Sequence, residues 1–276
     1  MKFLIVLILA AATVNAARLD TLLKPAIASG RIINGQEAAK GEAPYIISLQ
    51  YFGFHFCAGS LITPNLVLTA AHCLTDDSLE VVAGLHIRSD KSDVQVRTVT
   101  YQQYRQHEQY GGSVGPFDIG LIYIPEAFDL NDLRDNAAPV NTISLPSGKY
   151  AQTGRGKLYG WGRDETATSP QVLQTLDADI IGFTECERQL PNDAPLDKRS
   201  NICSHTVGKI DGACNGDSGG PLIINTVSGP ELVGVVSWGY SPCHWSTYPS
   251  IYTAVSEFHQ WIEDTILIRI YKKNKF

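Results

Sequence analysis

Gly216-Asp217-Ser218-Gly219-Gly220-Pro221 is the stretch on which the reading of this chain turns. Glycines on both sides of Ser218 let the backbone turn tightly and let a carbonyl group come close. Such a loop aims the N–H groups of Gly216 and Ser218 at one point, where an oxyanion can sit. It casts Ser218 as a nucleophile, although a Gly-rich serine loop by itself is also an ordinary turn. Two other segments decide between these readings. Thr69-Ala70-Ala71-His72-Cys73 supplies a histidine, and Phe117-Asp118-Ile119-Gly120-Leu121 supplies an aspartate before an apolar run.

Taken together, the three segments resemble the trypsin/chymotrypsin family of serine proteases. The chain order His72, Asp118, Ser218 is that of the chymotrypsin group and not of subtilisins or α/β-hydrolases. The resemblance runs from Ile32 to about Ile262 and includes Ile32-Ile33-Asn34-Gly35, Tyr159-Gly160-Trp161-Gly162 and Ser237-Trp238-Gly239. It implies an all-β, chymotrypsin-like fold of two six-stranded antiparallel β-barrels with a C-terminal helix and the site between the barrels. The N-terminal barrel, about 32–138, would carry His72 and Asp118. The C-terminal barrel, about 139–262, would carry Ser218. The residues agree with an all-β chain. Short β-prone runs at Tyr45–Tyr51, Leu66–Thr69, Leu79–Ala83, Ile119–Ile124 and Leu232–Trp238 alternate with Gly, Pro, Asn and Asp turns. Val255–Ile270 has helical spacing, with Phe258, Trp261, Ile262 and Thr265 on one side.

A serine hydroxyl is a poor nucleophile at neutral pH and needs a base beside it. His72 suits that role, because an imidazole can take the proton and return it to the leaving amine. The resemblance gives Asp118 the task of accepting the other imidazole N–H and stabilising the imidazolium. His55, His86, His107, His205, His244 and His259 lack such motif context and read as structural.

A second constellation joins Arg31, Ile32 and Asp217. Residues 1–16 have the pattern of a signal peptide: Lys2, the apolar run Phe3–Ala12, and Val14-Asn15-Ala16 before the cut. That run is shorter than the roughly 20 residues of a membrane span. Residues 17–31 read as an activation propeptide ending in Ser29-Gly30-Arg31, and 32–276 as the protease domain. The resemblance implies that cutting after Arg31 frees an ammonium on Ile32, which enters the C-terminal barrel and pairs with Asp217. A buried charge without a partner is costly, so the two ions should enter together.

The same resemblance gives the pocket floor to Gly212, six residues before Ser218, which disfavours Lys or Arg at the cleaved position. Asp211, one residue away, is the alternative that would restore a charge. Ala213, Asn215, Ser237, Trp238, Gly239 and Ser250 complete the expected substrate-binding residues, with Gly239 leaving the entrance open and Ser250 making the pocket shallower. The expected specificity is Phe, Tyr or Leu. Elastase- or collagenase-like breadth is the nearest alternative.

Six cysteines in a secreted chain point to disulfides, and sequence alone permits 15 pairings. The resemblance selects Cys57–Cys73, Cys186–Cys203 and Cys214–Cys243. No C-x-x-C pair favours zinc, and the loop after Val81-Val82-Ala83-Gly84 lacks the acidic residues of calcium-binding relatives, so no metal and no cofactor is expected. The net charge is −6 for the whole chain, and −9 without residues 1–31, which hold Lys2, Arg18, Lys24, Arg31 and Asp20. An acidic chain has no general attraction for nucleic acid. Residues 269–276 form a basic tail, read as solvated. The expectation is a secreted monomeric zymogen, digestive in role. Its expected partners are protein substrates, an activating trypsin-like protease and protein inhibitors, with no nucleic acid and no membrane. Its competitors are a defence or coagulation protease and a non-catalytic binding homologue.

Overall fold

The computed structural model describes residues 32–132, 134, 137–146, 153–243 and 246–273. The signal peptide, the propeptide with Arg31, and the last residues of the basic tail lie outside the described residues.

Two antiparallel sheets divide the chain. The first contains β2 (Ile46–Tyr51), β3 (Phe54–Thr63), β4 (Leu66–Thr69), β5 (Ser78–Ala83), β6 (Gln95–Thr100), β7 (Tyr104–Gln106) and β8 (Gly120–Tyr123) in the order β6-β5-β2-β3-β4-β8-β7. The two strands at its ends, β6 and β7, are successive in the chain. Between them lies one 3₁₀ turn, Tyr101–Gln103, in which the Gln103 side chain accepts the Thr100 N–H and hydroxyl. That turn divides one long strand in two, so seven segments make a six-stranded barrel.

The second sheet contains β1 (Gln36–Glu37), β9 (Gly154–Gly160), β10 (Gln174–Ile181), β11 (Asn201–Ser204), β12 (Pro221–Thr226), β13 (Gly229–Trp238) and β14 (Ser250–Ala254). Pairing of β9 with β10 closes the ring β10-β11-β14-β13-β12-β9, and β1 adds two residues on an edge of β10. Closure leaves few free strand edges. A short helix α1 (Phe183–Gln189) precedes β11. A 3₁₀ turn, Val255–Phe258, leads into the terminal helix α2 (His259–Lys273). Phe258 and Ile262 are buried, while Trp261 and Thr265 are half-buried on the same side. No helix among the described residues is long and apolar enough to cross a membrane.

The cores follow from period-2 patterning. In β2, Ile47 and Leu49 alternate with Ser48 and Gln50, and all four are buried. Ser48 and Gln50 therefore form a buried polar row on the strand's other face. Two β-bulges set the site. One skips Phe56 in the β2–β3 pairing, so that His55 stands opposite Gln50. The other skips Ser237 in the β13–β14 pairing. A bulge re-aims a side chain out of the regular alternation, and both re-aimed residues serve the site.

Candidate active site

His72 and Asp118 come from the first barrel. After the buried strand β4 the chain makes a single 3₁₀ turn, Ala71–Cys73, and Cys73 is joined to Cys57 of β3. His72 Nδ1–H donates to Asp118 Oδ2 at 2.7 Å, and the His72 backbone N–H donates to Oδ1 at 2.9 Å. A carboxylate only accepts, so the proton sits on Nδ1 and the Nε2 lone pair is left for substrate chemistry. The re-aimed Ser237 hydroxyl gives Oδ2 a further donor at 2.7 Å, and Thr253 Oγ1 donates to the Asp118 carbonyl at 2.7 Å. Both come from the second barrel. Asp118 is 2% exposed, yet its carboxylate has three donors, which is how a buried charge is tolerated. Phe117 precedes it at φ +62°, donates its N–H to Ser200 Oγ, and stacks on His107 at 5.2 Å.

Ser218 comes from the second barrel. A side chain on Gly219 would lie 2.2 Å from Thr69 Oγ1 and 2.3 Å from the Ala58 carbonyl, and φ there is +77°. Only glycine lets the serine loop seat against the backbone just before His72. The Ala58 N–H donates to the Ser218 carbonyl at 2.7 Å and the Gly219 N–H to Val236 at 2.8 Å. Among the described residues the N–H groups of Gly216 and Ser218 have no acceptor, as an oxyanion site requires. The hydrogen bonds join His72 to Asp118 but include none from Ser218 to His72. Such contacts commonly tighten only with substrate bound.

Asp217 faces inward and is fully buried. Its Oδ1 accepts the Gly162 N–H at 2.8 Å and its Oδ2 the Cys214 N–H at 2.9 Å. A side chain on Gly160 or Gly162 would overlap this carboxylate, which explains the glycines of Tyr159-Gly160-Trp161-Gly162. Among the described residues no cation faces it. Burial pushes its carboxyl up to about 7 against the pull of the two N–H donors. Ile32 is buried in the core of the same barrel with Leu158, Leu222 and Tyr252, and Ile33 pairs with Gly212.

A cavity of about 210 Å³ opens beside Ser218, and Ala213, Asn215, Ser237, Trp238, Gly239 and Ser250 all line it. Gly212 is not among the lining residues; it stands between Asp211 and Ala213, which are, at φ +137°, and a side chain there would meet Ser250 Oγ at 2.3 Å. Ser250 Oγ accepts the Ala213 N–H at 3.0 Å. The Ser250 hydroxyl thus occupies the place of a side chain at 212. A side chain on Gly239 would meet nothing within 4 Å, so the entrance is open. Asp211 also lines this cavity, and Val114, Tyr240 and Tyr248 extend it.

Several residues were not legible from motifs. Ser237 was expected to meet substrate through its backbone, and its hydroxyl also holds Asp118. The sequence alone reads His55 as structural; in the structure its Nε2–H donates to the Gly216 carbonyl at 2.9 Å. Its position two residues before Cys57 carries no local signal for that role. The three disulfides are those expected: Cys57–Cys73, Cys186–Cys203 and Cys214–Cys243. The single cluster of metal-ligand type among the described residues is Cys57, His72 and Cys73, and its two sulfurs are bonded to each other.

Comparison with known proteins agrees with this arrangement. The family model described as Trypsin matches residues 32–262. A protein named Lectizyme from Glossina austeni is 59% identical over 268 residues, 96% of this chain and 97% of its own. A trypsin of Xenopus laevis is 36% identical over 96% of this chain and 99% of its own. Trypsin delta of Drosophila melanogaster is 34% identical over 95% and 98%. By the family match, by these relatives and by its double-barrel fold, the chain belongs to the trypsin family of serine proteases.

Proposed function

We propose that the protein is the secreted zymogen of a serine endopeptidase, activated by a cut after Arg31 and acting on peptide bonds after large apolar residues. Ser218 Oγ attacks the substrate carbonyl while His72 Nε2 takes its proton. Asp118 holds the imidazole and stabilises the imidazolium, and His72 then returns the proton to the leaving amine. The N–H groups of Gly216 and Ser218 receive the oxyanion. The Ser237–Gly239 backbone pairs with the substrate as an added strand. The observation that carries this reading is the tautomer of His72. Asp118 fixes the proton on Nδ1 at 2.7 Å and so leaves the Nε2 lone pair free to act as a base. The intact set Ser218, His72 and Asp118 argues against a non-catalytic binding homologue.

The zymogen reading rests on Asp217. A buried carboxyl raised by desolvation, with two N–H donors and no cation among the described residues, is half of an ion pair. An ammonium on Ile32 would complete it and would set the neighbouring Gly216 N–H. The signal-peptide pattern of residues 1–16 supports secretion, and the likeness to trypsins supports a digestive role.

The pocket reading rests on Gly212, Ser250 and the open face at Gly239, which favour Phe, Tyr or Leu. Asp211 supports a second reading, a basic residue at the cleaved position, because it lines the same cavity. A panel of peptides differing only in the residue before the cut, assayed with trypsin-activated and repurified protein, decides between them. Turnover led by Phe or Leu is expected. Turnover led by Arg means that Asp211 governs the pocket, and no turnover overturns the enzyme reading.

A further inference from the structure

Away from the pocket, a second cavity of about 310 Å³ lies at the tip of the β2–β3 hairpin. Arg88, Lys91, Ser89, Gln171, Gln50 and His55 line most of it. Its charge is one-sided. Arg88 bonds only backbone carbonyls: its N–H donates to Gln171 at 2.7 Å and its Nη1 to Pro170 at 3.5 Å. Its Nε is buried and has no partner. Burial without a counter-ion holds the Arg88 guanidinium below its ordinary value. Lys91 Nζ donates to Gln50 Oε1 at 2.7 Å and to the Gly53 carbonyl at 2.6 Å. Among the described residues neither cation has a carboxylate within ion-pair distance. Glu80, which pairs with Gln50 across β2 and β5, is engaged by the Gly53 N–H.

Lys91 is also held in place. Gln50 Nε2 donates to Ser48 Oγ at 2.9 Å, Ser48 is 2.9 Å from His55 Nδ1, and His55 Nε2 donates to the Gly216 carbonyl. A carbonyl only accepts, so His55 carries its proton on Nε2 and Nδ1 takes the Ser48 hydroxyl proton. The donors therefore run in one direction, from the Lys91 ammonium along the buried polar row of β2 to the oxyanion loop. His55 is neutral at ordinary pH, its imidazole lowered to about 4 by burial, and so offers the cavity no competing charge.

We infer that this cavity is a binding site for an oxyanion-bearing group, a carboxylate, phosphate or sulfate, held between Arg88 and Lys91. Two fixed donors of like charge, with polar Ser89 and Gln171 beside them, suit such a group. A guanidinium fork and an ammonium are the usual pair for it. The position also suits an acidic side chain of a bound polypeptide. If the residues before the cut run along Ser237–Gly239, those after it leave past the Cys57–Cys73 bridge. Phe54 and His55 lie two to three residues up β3 from Cys57, roughly 10 Å along a strand.

Calorimetry on the Ser218→Ala protein, trypsin-cut and repurified, tests the site without needing turnover, so the result stands apart from the enzyme reading. Sodium sulfate is titrated at constant ionic strength, and peptides spanning the cut are compared with Asp or Asn at the third residue after it. Saturable sulfate binding that Arg88→Gln abolishes supports the site with a free anion as ligand. An Asp peptide bound at least tenfold more tightly than its Asn partner, with the difference lost in Arg88→Gln, supports it with the polypeptide as source. Lys91→Gln serves as the second variant should Arg88→Gln fail to fold. Absence of both saturable sulfate binding and the Asp preference in the parent protein overturns the inference.

Discussion

Two buried aspartates, Asp118 bonded to His72 and Asp217 next to Ser218 in the chain, differ in how completely they are satisfied. Asp118 is 2% exposed and Asp217 is 0% exposed. The Asp118 carboxylate has donors from His72 twice and from Ser237, drawn from both barrels. The Asp217 carboxylate has two backbone N–H donors from its own barrel and is pushed up to about 7. The first has all its carboxylate donors in place. The second has no cation facing it among the described residues. Under the proposed mechanism the barrels supply the base and its orienting acid ready-made, and a cut after Arg31 would supply the cation that Asp217 lacks among the described residues.

The largest effect should come from Asp118. Asp118→Asn offers His72 the wrong hydrogen-bond polarity and should lower kcat by about 10⁴-fold at neutral pH. A loss under tenfold, with the fold intact, would remove Asp118 from the mechanism. Asp217 should respond differently before and after the cut. In cut protein, Asp217→Asn leaves an unpaired buried ammonium and should cost about 3–5 kcal/mol in a denaturant titration at neutral pH. In uncut protein, held by Arg31→Gln, the same substitution should stabilise.

That uncut protein also carries a pH signature. Because the folded pKa of Asp217 is raised, the folded chain keeps a proton that the unfolded chain has lost between about pH 4 and 7. Stability from this group is present below the unfolded value and falls as pH rises through that window. The advantage of Asp217→Asn should widen by roughly 1.4 kcal/mol per pH unit and level off above pH 7. His55, buried and lowered to about 4, has the opposite slope between about pH 4 and 6.5, but it is common to both chains and cancels in the difference. A flat difference would mean that Asp217 is already ionised and paired before the cut. The smallest effect belongs to the pocket. Ser250→Gly removes the hydroxymethyl group beside Gly212 and should shift the Phe-to-Leu ratio of kcat/KM toward Phe by about 1–3 kcal/mol. No shift would move the depth of the pocket to another residue.

Much of this site was legible in the chain. His72, Asp118 and Ser218 were picked out through three short motifs, because a nucleophile loop and its partners need particular residues at fixed local offsets, and the structure joins His72 to Asp118. The expectation of Gly212 and Ser250 at the pocket came from counting residues from Ser218, and of the two Ser250 lines the cavity. His55 and the donor role of Ser237 were not legible, since each depends on a β-bulge, and a bulge is a property of two strands paired in register. The six-stranded closure of each barrel likewise emerged from the resemblance and from pairings such as β9 with β10, not from any single run of residues.

The amino-acid sequence by itself determined the family, the order of the reacting groups, the three disulfide partners through that family likeness, and the glycines without which the Ser218 loop cannot turn. These are local requirements, set by backbone conformation and side-chain chemistry at neighbouring positions. Only the tertiary structure decided that no cation among the described residues faces Asp217, that Asp211 lines the cavity, and that Lys91 is tied through Gln50, Ser48 and His55 to Gly216. Each of these depends on which distant groups share one volume of low dielectric. Burial and the absence of a counter-charge are properties of packed barrels, which no stretch of sequence contains.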